Sequence, residues 1–245
     1  MTDINQRRSF LQNVTNDTFF ENMKDVYTCI PGYVLTFDPD TQRAQIQLGI
    51  TRTDDIAKTT FDPPPIVDVP VSFPGDDFVL EFAVNPGCEG MVHFSQRCID
   101  GWKQTGGIAA NPVKRFHHKQ DAMFVPGIRS LTNVIANFAN NGIRLRDKTG
   151  NRYVWIKNDN SIEIKNASAT ATYAGDGTIT TQNDSGHMTL MANGNVDING
   201  VIITPQGQIT LPGTGGLKLA NGIDAENHKH TGVTTGSGTS GGPTN

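Results

Sequence analysis

The chain has 245 residues, 26 of them glycine, and a formal net charge of −4 at neutral pH. That length allows two modest domains or one large β domain, and the abundance of Gly, Asn, Asp and Thr favours turns and strands over helix. The acidic balance, with no basic stripe, argues against a nucleic-acid binder that tracks phosphates. No apolar run approaches the ~20 residues of a membrane-spanning helix. The opening residues 1–10 also lack the apolar core of a secretory signal, so folding in the cytoplasm of the producing cell is expected.

Residues 1–26 place Phe10, Leu11, Val14, Phe19, Phe20 and Met23 at spacings of one, three, four and five, interrupted by Asn16-Asp17-Thr18. This reads as an amphipathic helical arm. It either caps its own domain or docks on a partner assembly.

Residues 27–125 read as a domain of short strands. Residues 27–38 run to a turn at Asp38-Pro39-Asp40, and residues 43–50 follow with apolar alternation at Ala44, Ile46 and Leu48. This is a hairpin signal with turn chemistry at its tip. Asp62-Pro63-Pro64-Pro65 is a stiff extended linker. Residues 66–73, 77–84 and 90–96 supply three further candidate strands. Five short antiparallel strands of this kind suit an OB-type barrel. Residues 101–107 read as a loop. Cys29, Cys88 and Cys98 form no CxxC pair and are read as small buried apolar residues of a reduced protein.

Residues 126–142 form a connector in which 129–141 make a short helix capped by Ser130, or a further strand. From 143 to about 220 the texture changes. Short alternating segments are separated by KTGN, NDN, GDG, NDSG, NGN, NG, PQG and PGTGG. The segments carry apolar pairs at i and i+2, among them Ile143/Leu145, Ile162/Ile164, Met188/Leu190, Val196/Ile198 and Ile209/Leu211, with Leu217/Leu219 beyond. Each pair points to one face. After Ile156 the only aromatic residue is Tyr173. Two apolar residues per strand cannot build a core of ordinary thickness in one chain. Three chains around one axis can, and pairing strand edges between chains removes an aggregation hazard. A single-chain parallel β-helix needs a more regular rung repeat and asparagine ladders, which are absent. A triple-stranded β-helix is therefore expected here.

In residues 221–245, His228 and His230 stand two apart, so on an extended strand both imidazoles share a face. One chain offers two nitrogens, and three chains offer six. Six imidazoles fit octahedral iron, nickel or cobalt better than four-coordinate structural zinc. The small-residue tail beyond is either a disordered terminus or a compact cap. His93, His117, His118 and His187 read as structural or surface residues. No GxSxG, HExxH, phosphate loop or GxGxxG after a strand is present, and the acid pairs Asp54/Asp55 and Asp76/Asp77 lie in turn-like stretches. Catalytic residues are therefore not assigned.

Residues 33–50, 64–75 and 86–102, the link at 117–128 and the HKHTG run at 228–232 resemble the baseplate central spike proteins of contractile-tailed phages, of the short membrane-piercing kind. The resemblance implies an all-β chain: an OB-fold domain, an intertwined trimeric β-helix over 143–220 and a small apex at 221–245. It implies a non-enzymatic homotrimer at the baseplate tip of a virion. Its OB domains would meet the hub or tail-tube proteins and its point would enter the host outer membrane. By position, His228 and His230 would hold an iron ion on the axis through six histidines, with further axial ions such as calcium or chloride. The rival classes are a tail-borne glycan hydrolase and a receptor- or carbohydrate-binding fibre. The hydrolase would need a carboxylate cleft, and the fibre an aromatic-rich exposed face.

Overall fold

The computed structural model describes residues 4–54 and 57–213, together with Leu217 and Gly236. The architecture is all-β in two compact units, residues 1–134 and 135–245, the first of which opens with the helix α1 (Ile4–Met23). No described helix is long and apolar enough to cross a membrane. α1 continues straight through Asn16-Asp17-Thr18. The Thr15 and Thr18 hydroxyls donate back to the carbonyls of Leu11 and Val14 (2.8 Å each), which satisfies both hydroxyls within the helix. Phe10, Leu11 and Val14 lie toward one side of the helix and Phe19, Phe20 and Met23 toward the other. All six are exposed, so none of them is seated on the barrel of its own chain.

The first unit is built on β1 (Cys29–Asp38), β2 (Arg43–Leu48), a small ribbon of β3 (Arg52–Thr53) and β4 (Thr60–Phe61), β5 (Ile66–Pro70), β6 (Glu89–Phe94), the short helix α2 (Asp100–Thr105) and β7 (Ala122–Pro126). The five-stranded sheet has the order β5-β2-β1-β6-β7. Three consecutive strands are followed by one that returns beside the first, which is a Greek key. The chain just after β5 meets β7 through a parallel bridge between Val71 and Phe124 and a Ser72 N–H bond to the Phe124 carbonyl (2.9 Å). The sheet thereby closes on itself as a five-stranded OB-type barrel.

Alternation sets the barrel core. Ala44, Ile46 and Leu48 point inward from β2, and Val34, Val69, Val92, Phe94, Ala122 and Phe124 join them. Phe124 is fully buried against β6 at Gly90. A Cβ at Gly90 would strike the Phe124 ring at 2.6 Å and also collide with the Val125 carbonyl.

Three expectations for this unit are corrected. Residues 77–84 form no strand. The Leu80 N–H bonds to the Pro74 carbonyl (2.9 Å) and the Asp76 N–H to the Phe78 carbonyl (3.2 Å), so this backbone is spent on a local turn and cannot join a ladder. Its fifth-strand place is taken by β7, from within 117–128, because Ala122 and Phe124 alternate inward. Residues 101–107, expected as a loop, lie largely within α2. Around Ser130 only a three-residue 3₁₀ turn forms (Leu131–Asn133), and Ser130 gives it no side-chain cap. The Ser130 N–H and hydroxyl instead donate to the Glu89 carboxylate (2.7 and 3.0 Å).

The second unit is a single antiparallel meander, whose strands pair in chain order: β8 (Gly142–Arg146), β9 (Tyr153–Lys157), β10 (Ile162–Lys165), β11 (Ala169–Tyr173), β12 (Ile179–Asn183), β13 (Gly186–Leu190), β14 (Val196–Ile198), β15 (Val201–Ile203) and β16 (Ile209–Thr210). Side chains at the turns hold its register. Asn166, Asp176, Asn183 and Asn193 each accept from backbone N–H groups two or three residues on (2.8–3.0 Å), which are Asx turns. Between β14 and β15 the loop is Asn199-Gly200, with φ of 51° and 92°. Two positive φ values are what a type I′ hairpin turn requires. Within the described residues each interior strand has both edges paired inside its own chain, where the sequence analysis assigned edge pairing to neighbouring chains. The segment 169–173, low in bulky apolar residues, is a strand that the sequence pattern does not pick out.

Gly90→Ala is expected to destabilise the barrel by about 1–3 kcal/mol through overpacking. Urea unfolding followed by circular dichroism will show the midpoint fall.

Candidate functional site

Because side chains alternate along a strand, the register of the meander decides what each face carries. On one face, directly opposed residues form two unbroken rows that cross the strands. The first row runs from Ile143 through Ile156, Ile162 and Tyr173 to Ile179 and Leu190. It continues through Val196 and Ile203 to Ile209. The second runs Leu145, Val154, Ile164, Ala171 and Thr181, then Met188, Ile198 and Val201. Strand spacing makes this stripe roughly 38 Å long over nine strands. Much of it is exposed within the chain, with Ile143 retaining 76% of its accessible surface, Leu145 64% and Ile209 62%, while Ile179, Val196, Val201 and Ile203 are half-buried.

The opposite face is polar. Arg144, Trp155, Glu163, Thr172, Thr180, Thr189 and Asp197 follow one another across it, and the hydroxyls of Thr180 and Thr189 bond at 3.2 Å. At its start Trp155 lies between two cations, Arg144 at 4.9 Å and Lys157 at 4.7 Å from the ring centroid. The Trp155 Nε1–H is enclosed and without a partner among the described residues. Glu163 accepts from Lys157 and from the Tyr153 hydroxyl (2.6 Å). Burial, together with the bond to Glu163, pushes the Tyr153 phenol up to about 12.

In the barrel unit, Cys98, Asp100 and Asp121 lie close enough to suggest a cation site. The cation is already there. Arg115 donates to both Asp121 oxygens (3.1 and 2.8 Å), to Asp100 (2.7 Å) and to the Cys98 sulfur (3.1 Å). Asp121 is fully buried and also accepts from the Ile99 N–H (3.0 Å). Burial opposes its ionisation, but Arg115 and the Ile99 amide win, and its pKa lies below the ordinary carboxylate value. Asp121 anchors Ile99, immediately before α2, to the residue preceding β7. The cluster is structural.

The residues singled out in sequence fall as follows. His228 and His230 lie outside the described residues. His93 is an exposed strand residue. His117 Nδ1 lies 3.2 Å from the Tyr27 carbonyl, His118 Nδ1 accepts from the Gln120 N–H, and His187 pairs with Asp197 at 3.3 Å. All four have structural or surface settings. Of the cysteines, Cys98 is buried, Cys88 is half-buried and Cys29 is exposed. The expectation of burial fails at Cys29, whose residue points out of the barrel at the start of β1. The Arg115–Asp121 pair was missed, since two opposite charges six residues apart in a loop carry no signal of their own.

Two family models match the chain. Residues 30–127 match the N-terminal domain of phage protein Gp138, and residues 225–244 match the GpV apex motif. No curated protein matches. Both are phage baseplate spike families, in accord with the resemblance read from the sequence. The first match covers the barrel, and the second covers the stretch that holds both His228 and His230.

Arg115→Met is expected to cost about 3–5 kcal/mol, because it leaves Asp121 buried and unpaired. Since the Asp121 pKa is depressed by folding, its contribution is full above about pH 4 and is lost as pH falls toward the folded value. Acid titration of the parent barrel, read by near-ultraviolet dichroism, will show that loss. At the other end of the scale, absorbance at 295 nm should show one of the four tyrosines titrating near 12, and Glu163→Gln should move that step down toward the ordinary value of about 10.

Proposed function

We propose that this phage tail baseplate protein is the central spike of a contractile tail, a non-enzymatic homotrimer that enters the host outer membrane mechanically. The observation that carries the reading is the two-row apolar stripe. Isolated apolar residues on a surface are ordinary, but a contiguous stripe of this length on a soluble domain marks a contact face. Its periodicity and length fit copies of itself. Three such stripes facing one axis make a thin core, each aliphatic side chain contributing about 1.5–3 kcal/mol when fully withdrawn from water. The polar faces then look outward. A rod of this kind resists bending because its strands are hydrogen-bonded along the whole length and its core is continuous.

The apex reading rests on donor chemistry. His228 and His230 of three copies would supply six neutral imidazole nitrogens, a set that suits an octahedral first-row metal, and we assign iron. Such an ion would hold together a tip too thin to have an apolar core. The barrel units would meet the hub of the baseplate and the protein would stand at the tip of the tail, with contraction supplying the force.

The purified chain should show a native mass about three times 26.5 kDa by sedimentation equilibrium, with one iron per three chains by elemental mass spectrometry. The His228→Ala/His230→Ala double variant should lose the metal and keep the trimer. Ile162→Asp, on the third of the nine strands of the stripe, should dissociate it. A metal-free monomer would overturn the reading.

A further inference from the structure

Most strands of the stripe present two residues of similar bulk, one in each row: Ile143 with Leu145, Ile162 with Ile164, Leu190 with Met188. β11 departs from this. Its two residues are Tyr173 and Ala171, so one row gains a ring where the other loses nearly a whole side chain. The neighbour of Ala171 across to β12 is Thr181, which is also small. The second row therefore has a notch two strands wide. An open depression of about 630 Å³, lined mostly at the turns that follow β10 and β12 by residues such as Asn166, Asn183 and Gly186, reaches in to Ile164, Ala171 and Thr181. Tyr173, two residues along the strand from Ala171 and outside that lining, is 46% exposed.

Tyr173 cannot fill that notch in its own chain. It sits two residues along the same strand from Ala171, and strand side chains stand roughly perpendicular to the sheet. Another copy can fill it. The inference rests on the proposed three-fold association. Cyclic symmetry places the first row of one copy against the second row of the next, and rotation about the axis keeps every residue at its own level. Tyr173 of one copy then faces Ala171 and Thr181 of the next.

We propose that Tyr173 is the register key of self-association. Its ring enters the Ala171–Thr181 notch of a second copy of this chain, and its hydroxyl donates to the Thr181 hydroxyl there. The Thr181 hydroxyl is itself oriented toward the Met188 carbonyl (3.5 Å), which leaves its oxygen free to accept. A buried tyrosine needs such a partner for its hydroxyl. Rows of near-uniform aliphatic residues would let three stripes slip along the axis by one strand pair. A large residue matched to a small one at a single level forbids that slip, since any displaced register would press the ring against a bulky side chain and leave the notch empty.

The test uses the full chain with p-benzoyl-phenylalanine in place of Tyr173. Irradiation should give denaturant-resistant dimers and trimers whose cross-link maps to residues 171–181 of the other copy. Tyr173→Ala should lower the melting temperature of the trimer by on the order of 5–10 °C. The swapped pair Ala171→Tyr/Tyr173→Ala should recover part of that loss, because it keeps one large and one small residue at the level. A trimeric parent whose cross-links map elsewhere, or whose melting is unmoved by Tyr173→Ala, overturns the register key alone. A monomeric parent overturns the association on which it rests.

Discussion

A β-sheet with one apolar face must put that face against something. In the barrel unit the sheet bends and closes on itself, so Phe124, Ile46 and Val92 face one another inside a single chain. In the meander it does not close. Nine strands pair in simple succession, and each offers about two apolar side chains to the same face. No second layer comes from the described chain. The remaining features of this unit are arranged around that open face: short strands, tight turns fixed by Asx side chains, and a polar face rich in threonine.

The two units therefore solve the same problem at different costs. The barrel gains a thick core and spends a buried charged cluster to fix its one awkward connection. Arg115 reaches Asp100, Asp121 and Cys98 at once. It ties the start of α2 to the strand that completes the barrel, and so sets where β7 enters the sheet. A buried ion pair of this kind contributes little net stability compared with apolar packing, but its loss is costly. The meander has no such interior. Its stability within one chain rests on ladder hydrogen bonds and turns, and in the proposed trimer the missing hydrophobic term arrives from two further copies. That arrangement would make folding and assembly a single event, and it would suit the proposed part, which needs stiffness along one direction.

The proposed mechanical function changes what a residue must do. A spike needs no cleft and no nucleophile. It needs every layer along its length to hold the next, and it needs the copies to stay in step. In the proposed trimer the polar face would look outward, and its row of polar residues, with Trp155 between Arg144 and Lys157, would meet the first need at the base of the meander. In the proposed trimer the size match of Tyr173 with Ala171 and Thr181 would meet the second, near its middle.

The sequence by itself determined the alternation. Ala44, Ile46 and Leu48 point inward as their spacing requires, and pairs such as Ile143/Leu145 and Ile162/Ile164 share one face because a strand's period is two. Asn199-Gly200 announces its own turn, since few residues accept positive φ. What only the tertiary structure decided is which apolar segments pair. Residues 77–84 look like a strand by composition, yet their amides are consumed locally by Pro74 and Phe78, and Ala122–Pro126 takes the place instead. Residues 169–173 look too small for a strand, yet the ladders on both sides hold them in one. Local pattern fixes the direction in which each side chain points, whereas pairing depends on backbone groups brought together from distant parts of the chain. For the same reason the buried Arg115–Asp121 pair could be recognised only once its neighbours had excluded water from it.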